Sequence, residues 1–182
     1  GGNVSFYNEF EGQPVYPTPT IGMVGISPNV ERHVTPGFKR AGDVIALLGQ
    51  PEGAHLGGSE YCWFIHGVVA GDAPELDLDL ERRLQACVLD AIHQGIATAA
   101  HDVAEGGLAV ALAEMCVQAA AGAEGCLVSV PLGPGRVDGQ LFGETQSRIL
   151  VTAGRDDVER LQALALAHGV PLRILGEVAG DG

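Results

Sequence analysis

The stretch His101-Asp102-Val103-Ala104-Glu105-Gly106-Gly107-Leu108-Ala109-Val110-Ala111-Leu112-Ala113-Glu114-Met115 decides how this chain is read. It is a polar turn running into an apolar helix. Leu108, Leu112, Met115 and Ala119 recur at i, i+4, i+7 and i+11, which is one helical face. Glu114 and Gln118 mark a narrower polar stripe, and the many alanines let neighbouring elements approach closely. Gly106 and Gly107 stand where the helix begins. They cost helix propensity there, so they point to a tight turn or a close backbone contact. Free N–H groups at such a start also make an anion site. Taken alone, the segment is explained better by a core helix behind a polar turn than by a ligand site.

Outward from this stretch, residues 96–100 read as a short strand feeding the His101 turn. Leu80, Leu84, Cys87, Val88, Ala91 and Ile92 form a helical stripe, with Asp77 or Asp79 as N-cap and Gly95 as the stop. Residues 44–48 are continuously apolar and read as a strand covered on both faces. Further strands are expected over 21–27, 126–130, 148–151 and 172–176. A helix is expected over 156–168, ending at Gly169 before Pro171. Pro14, Pro17 and Pro19 make 13–20 an extended connector, and 50–61 and 131–139 read as glycine- and proline-rich loops. Glu144, Gln146 and Arg148 would share one face if the chain is extended there. The irregular alternation of elements gives a layered α/β (α+β) fold, a mixed sheet with helices packed on one side.

Composition narrows the function. The 182 residues are 46% hydrophobic, enough for a real core, and ten basic against twenty-three acidic residues leave a net charge of −13. Nucleic acid and anionic membrane are excluded as partners, because both need a basic surface. A phosphate bound here would need a metal ion or a basic neighbour. Cys62, Cys87, Cys116 and Cys126 have no C-x-x-C spacing and read as small core hydrophobes in a reducing compartment. No signal peptide or membrane-length apolar run is visible, so a cytoplasmic location is expected. The start without Met, with no element leading in, is what a fragment of a longer chain would show.

The densest polar cluster is Gly1-Gly2-Asn3-Val4-Ser5-Phe6-Tyr7-Asn8-Glu9. Gly-Gly lets backbone N–H groups approach a ligand, Asn3 offers a hard oxygen of the kind Mg²⁺ accepts, and Ser5 offers a hydroxyl for a phosphate oxygen. The spacing alone fits an ordinary Gly-Asn turn better. The segment gains meaning beside four others, Thr18-Pro19-Thr20-Ile21-Gly22-Met23-Val24-Gly25, Leu56-Gly57-Gly58-Ser59-Glu60-Tyr61, His101 to Leu108 as quoted above, and Leu141-Phe142-Gly143-Glu144-Thr145-Gln146-Ser147-Arg148.

In this order the five motifs resemble the C-terminal part of the phosphoribosylformylglycinamidine synthase family, the synthetase component of purine biosynthesis. The first motif is specific to that family within the wider aminoimidazole ribonucleotide synthetase-like superfamily. The resemblance implies two homologous halves, each pairing an N-terminal-type with a C-terminal-type α/β domain. Residues 1–38 would be the tail of the second N-terminal-type domain and 39–182 the second C-terminal-type domain. It implies a ligase that uses ATP and Mg²⁺ to phosphorylate the amide oxygen of formylglycinamide ribonucleotide, after which glutamine-derived ammonia displaces phosphate. Gly2 would contact ATP, Asn3 would ligate Mg²⁺ and Ser5 would contact the substrate. The implied partners are the N-terminal half of the same enzyme and a glutaminase subunit or domain.

The family's catalytic histidine, its ATP-contacting lysine and most of its metal carboxylates belong to the first half. No catalytic residue is therefore expected in this chain, and it should be inactive alone. His101, Asp102, Glu144, Thr145 and Gln146 match first-half metal and substrate positions by pseudo-repeat. They are expected to face the second, pseudo-equivalent site and to be structural rather than functional. Two other readings stay open: a purely structural docking module, and a related synthetase-type ATP enzyme or small-molecule kinase of the same fold.

Overall fold

The computed structural model of the chain describes residues 1–3, 7–16, 18–27, 29–52, 55–123, 125–130 and 135–180. They fall into two compact units, Gly1–Glu31 and Arg32–Gly182.

In the first unit, β1 (Gly2–Asn3) pairs antiparallel with β4 (Thr20–Ile21), Gly2 opposite Ile21 and Asn3 opposite Thr20. Strands β2 (Asn8–Phe10) and β3 (Gln13–Val15) form a hairpin closed by Glu11 and Gly12, both with left-handed φ of 50° and 74°. Two positive φ values in a two-residue loop are the signature of a type I′ turn. This replaces the first part of the connector expected from residue 13. Its turn is Glu-Gly, not the Asn-Gly or Asp-Gly that signals a hairpin in sequence. The strand expected over 21–27 stops at Ile21, and Met23, Val24 and Ile26 are exposed. A strand needs a hydrogen-bonding neighbour, and Gly22, which exchanges backbone hydrogen bonds with Gly1, is the last residue of the stretch with one among the described residues.

The second unit is organised on β5 (Val44–Gly49), the centre of a five-stranded sheet. Its neighbours are β8 (Arg148–Ala153) and β9 (Leu172–Ala179), with β6 (Ala97–Asp102) outside β8 and β7 (Gly125–Val128) outside β9. Successive β5 side chains alternate between two cores. Ile45 and Leu47 meet Leu108, Ala111, Leu112 and Met115 of α3 (Gly107–Val117). Ala46 and Leu48 meet Leu84, Cys87 and Ala91 of α2 (Leu78–His93) with Leu161 and Ala165 of α5 (Val158–His168). Burying each large aliphatic side chain stabilises the unit by about 1.5–3 kcal/mol, which is why the apolar run at β5 specifies its place.

The layered α/β class holds, with two details corrected. Every pairing of the sheet is antiparallel, not mixed, and helices cover both faces, not one. The alternation of strand and helix in the sequence suggests parallel neighbours. Strands β8 and β9 do run the same way through α5, but β5 is inserted between them, and β8 likewise separates β5 from β6.

Two helices begin inside stretches read as loops and run beyond them, α1 (Glu60–His66) and α4 (Val137–Phe142). Helix α1 buries no residue, so it leaves no apolar stripe to find. Asp77 is the N-cap of α2, its Oδ1 accepting from Asp79 N–H and Leu80 N–H at 2.9 and 3.0 Å. No helix among the described residues is long and apolar enough to cross a membrane.

Candidate functional site

Gly106 and Gly107 have left-handed φ of 77° and 69° at the start of α3. A Cβ on Gly107 would lie 2.7 Å from the Gly143 carbonyl oxygen and the Phe142 carbonyl carbon. The pair therefore serves the close approach its sequence position suggests, and it seats the end of α4 on the start of α3. The loop that follows α4 carries Glu144 into the turn. One carboxylate oxygen, Oε1, accepts the N–H of Gly106 at 2.8 Å and the N–H of Glu60 at 2.9 Å. An anion does occupy the helix start, and it is a side chain of the protein itself. The Glu144 N–H donates to the His55 carbonyl at 2.9 Å, and Thr145 Oγ1 accepts from His55 N–H at 3.4 Å. Gln146 Nε2 donates to the Glu144 carbonyl at 3.4 Å.

His101 and Asp102, at the end of β6, line an open cleft of about 590 Å³ with Glu60, Phe64, Glu105 and Glu114 among its other walls. The His101 ring is largely buried. Its Nε2 lies 3.2 Å from Glu114 Oε2, and its Nδ1 donates to the Asp102 carbonyl at 2.6 Å. Four carboxylates face this cleft, yet among the described residues no three His, Cys, Asp or Glu side chains converge in a way that would hold a metal ion.

Asp102 also borders a second cleft, of about 320 Å³, with Gln146, Glu81, Ser147 and Arg148. Ser147 Oγ donates to Glu81 Oε2 at 2.6 Å. Arg148 is only 4% exposed, and its guanidinium is poorly served. Nη1 makes one long bond to the Gly143 carbonyl at 3.4 Å, and Nε has no partner. Burial, with the charge of Arg173 second, pushes its pKa down to about 10.

The expected common face of Glu144, Gln146 and Arg148 does not form. Strand β8 begins only at Arg148, and Ser147 just before it has a left-handed φ of 58°, which breaks the alternation. Gly49 makes room for this kink, since a Cβ there would lie 1.9 Å from the Ser147 carbonyl oxygen. Glu144 is thereby left under the starts of α1 and α3, while Gln146 and Arg148 face the second cleft.

In the first unit, Gly2 and Asn3 are exposed on β1, and Ser5 lies outside the described residues. Sequence reasoning missed Glu114 as the partner of His101, and Glu60, Phe64 and Glu105 as cleft walls. Glu114 was visible only as part of a polar stripe, because the contact joins α3 to β6.

Residues 40–182 match the family described as AIR synthase related protein, C-terminal domain, and the chain belongs to that family. Within it, all 182 residues align at 64% identity with phosphoribosylformylglycinamidine synthase subunit PurL of Symbiobacterium thermophilum, covering 23% of that protein. The subunit of Moorella thermoacetica is 49% identical over 182 residues, 99% of this chain and 24% of its own length. The chain thus spans about a quarter of the length of the curated relatives it matches. Among solved structures, Thermotoga maritima PurL in complex with FGAR superposes with a TM-score of 0.68 at 23% identity, over 84% of this chain and 26% of that one. Thiamine-monophosphate kinase of Stenotrophomonas maltophilia gives 0.51 at 23% identity, over 82% and 51%. These structures share the fold.

Proposed function

We propose that this chain is part of an ATP-dependent phosphoribosylformylglycinamidine synthase, a carbon–nitrogen ligase of purine biosynthesis acting in the cytoplasm. The observation that carries the reading is 64% identity along the whole chain to a subunit of that name. A Thermotoga PurL structure solved with ATP and another with FGAR support ATP and formylglycinamide ribonucleotide as ligands of the complete enzyme. A structure described as PurLQS supports assembly with further subunits, and on the family resemblance a glutaminase subunit or domain supplies the ammonia.

On this reading residues 1–38 are the tail of a preceding N-terminal-type domain, and 39–182 form the second C-terminal-type domain. Gly2 contacts ATP through its backbone, Asn3 gives an amide oxygen to Mg²⁺ and Ser5 contacts the substrate. Asn3 cannot hold the ion alone, and the described residues offer no convergent carboxylate set to complete the site. The family resemblance places most of the metal carboxylates in the first half of the longer polypeptide. Held by Asn3 and ligands of the first half, Mg²⁺ would offset the repulsion of phosphates by this acidic chain.

His101, Asp102, Glu144, Thr145 and Gln146 are assigned a structural role at the pseudo-equivalent site. The engagement of Glu144 by two backbone N–H groups favours this. The same observation keeps a second reading in play, in which the chain only scaffolds the other half.

The experiment is a kinetic comparison in the intact enzyme with ATP, Mg²⁺, ammonia and formylglycinamide ribonucleotide. Asn3→Ala and Ser5→Ala should each lower kcat/KM by roughly 10²-fold or more, the scale of one lost charge-stabilising contact. His101→Ala should change stability before it changes rate. If all three variants turn over like the parent protein, the scaffold reading replaces the catalytic one. A rate loss at His101→Ala equal to that at Asn3→Ala, with unchanged melting temperature, would place the pseudo-site in turnover.

A further inference from the structure

Cys116 is in the last turn of α3 and Cys126 is the second residue of β7, and their sulfur atoms are 3.9 Å apart. Both are free thiols in van der Waals contact. Ten positions separate them, so nothing in the sequence marks them as a pair. The backbone from Cys116 to Ala123 is held by hydrogen bonds that do not involve the sulfurs. Ala119 N–H donates to the Cys116 carbonyl, Ala120 N–H to the Phe38 carbonyl and Ala123 N–H to the Ala120 carbonyl. Strand β7 is fixed in turn by β9, with Cys126 opposite Val178. The fold itself thus holds the two side chains together.

Both cysteines are half-buried at the rim of the core around α3, within reach of a small reagent. The other two differ. Cys87 is fully buried, and the Cys62 thiol donates to the Leu56 carbonyl at 3.0 Å.

We propose that Cys116 and Cys126 form a reversible dithiol–disulfide site which, on reaction with a low-molecular-weight disulfide, clamps the last turn of α3 to the edge strand β7. In the first step one cysteine thiolate attacks a sulfur of the small disulfide and expels one small thiolate. The second cysteine, once deprotonated, attacks the protein sulfur of the mixed disulfide and expels the other. Two protein thiols are oxidised, the small disulfide is reduced to two thiols, and the two cysteine protons end on those leaving groups. Bonding requires the sulfurs, now 3.9 Å apart, to close to about 2.05 Å, a movement that side-chain rotation supplies. Burial, then the neighbouring Cys116, pushes the Cys126 thiol up to about 11, so the exchange is slow at neutral pH and quickens in mild alkali.

The sequence makes the test direct. Cleavage after Glu114, Glu124 and Glu144 puts Cys116 on residues 115–124 and Cys126 on residues 125–144, with no other cysteine on either peptide. The intact protein is equilibrated in a glutathione buffer poised at about −200 mV, alkylated, cut and weighed. The expected result is the two peptides joined, about 2 Da lighter than their sum, and separate alkylated peptides after reduction. Cys116→Ser and Cys126→Ser should each abolish the joined species. Oxidation should raise the melting temperature of the parent protein by a few degrees and leave that of either variant unchanged. Both cysteines alkylated at that potential would overturn the proposal. So would either one ending as a glutathione mixed disulfide or paired with Cys62, and a cross-link with no rise in melting temperature would overturn the clamp.

Discussion

The Glu144 carboxylate accepts the Gly106 N–H at 2.8 Å through the same oxygen that accepts the Glu60 N–H at 2.9 Å. Gly106 is the N-cap of α3 and Glu60 the first residue of α1, so one acidic oxygen serves the starts of two helices far apart in sequence. Helix starts carry orphan N–H donors and the positive end of the backbone dipole, and an anion satisfies both. Neither helix start has a basic residue in its place. The carboxylate is therefore part of the architecture of the turn.

Glu144→Ala should lower stability by about 1–3 kcal/mol, since it strands the partly buried Gly106 N–H and leaves the exposed Glu60 N–H to water. Glu144→Gln keeps an acceptor oxygen and loses only the charge, so its cost should be about 1 kcal/mol or less. Urea unfolding of the intact protein measures both. An alanine variant within about 0.5 kcal/mol of the parent would show that water replaces the carboxylate at no cost.

Gly107→Ala should be among the most damaging small substitutions in the chain. A left-handed φ costs an L-residue about 1–2 kcal/mol by itself, and here the added methyl also meets the Phe142–Gly143 backbone. Gly58 is the control, because its φ of 67° is just as left-handed while no atom lies within 4 Å of its missing Cβ. Gly58→Ala should show the conformational term alone, and Gly107→Ala at least about 2 kcal/mol more. Equal melting temperatures for the two variants would mean that the α4 end yields freely.

The parts of this fold legible in the sequence are those whose burial writes a period. The β5 run, the α2 stripe and the α3 face were readable because most side chains of each pattern enter a core. Helix α1 was not, because Trp63, Phe64 and Ile65 are consecutive and exposed, which is neither a stripe nor an alternation. The order of the sheet was hidden because β5 enters between β8 and β9, a choice made by packing across the whole unit. For the site, the double glycine announced a tight approach, but not that its anion would come from residue 144. The His101–Glu114 pair and the Cys116–Cys126 pair were invisible for the same reason: each joins a strand to a helix through the fold.

Arg148 predicts the opposite sign of effect. Its guanidinium is buried with one weak hydrogen bond, an unpartnered Nε and no carboxylate within ion-pair distance among the described residues. A buried charge without a partner is a liability that an apolar chain of similar length removes. Arg148→Met should therefore raise stability by about 1–3 kcal/mol, seen as a higher urea midpoint at unchanged slope. A clear loss would show that the buried guanidinium contributes net stability and overturn this reading.

Alkali should weaken the protein in a window set by two thiols. Burial pushes Cys87 up to about 11, with Asp90 adding to it, and burial with Cys116 does the same to Cys126. The ordinary thiol value is 9.0. Between pH 9 and about 11 the unfolded chain has released protons that the folded chain still holds, so stability must fall as pH rises through that interval. The contribution is complete below pH 9 and does not bear on behaviour at neutral pH. Urea midpoints measured in reducing buffer across this range should decline for the parent protein. They should decline less steeply for Cys87→Ala and Cys126→Ala, and least for the double variant. Each alanine also removes packing, so its curve starts lower, and the slope carries the information. Tyrosines and lysines titrate in every variant and cancel in the comparison. If the double variant falls as steeply as the parent, the two thiols are not what the alkaline limit reports.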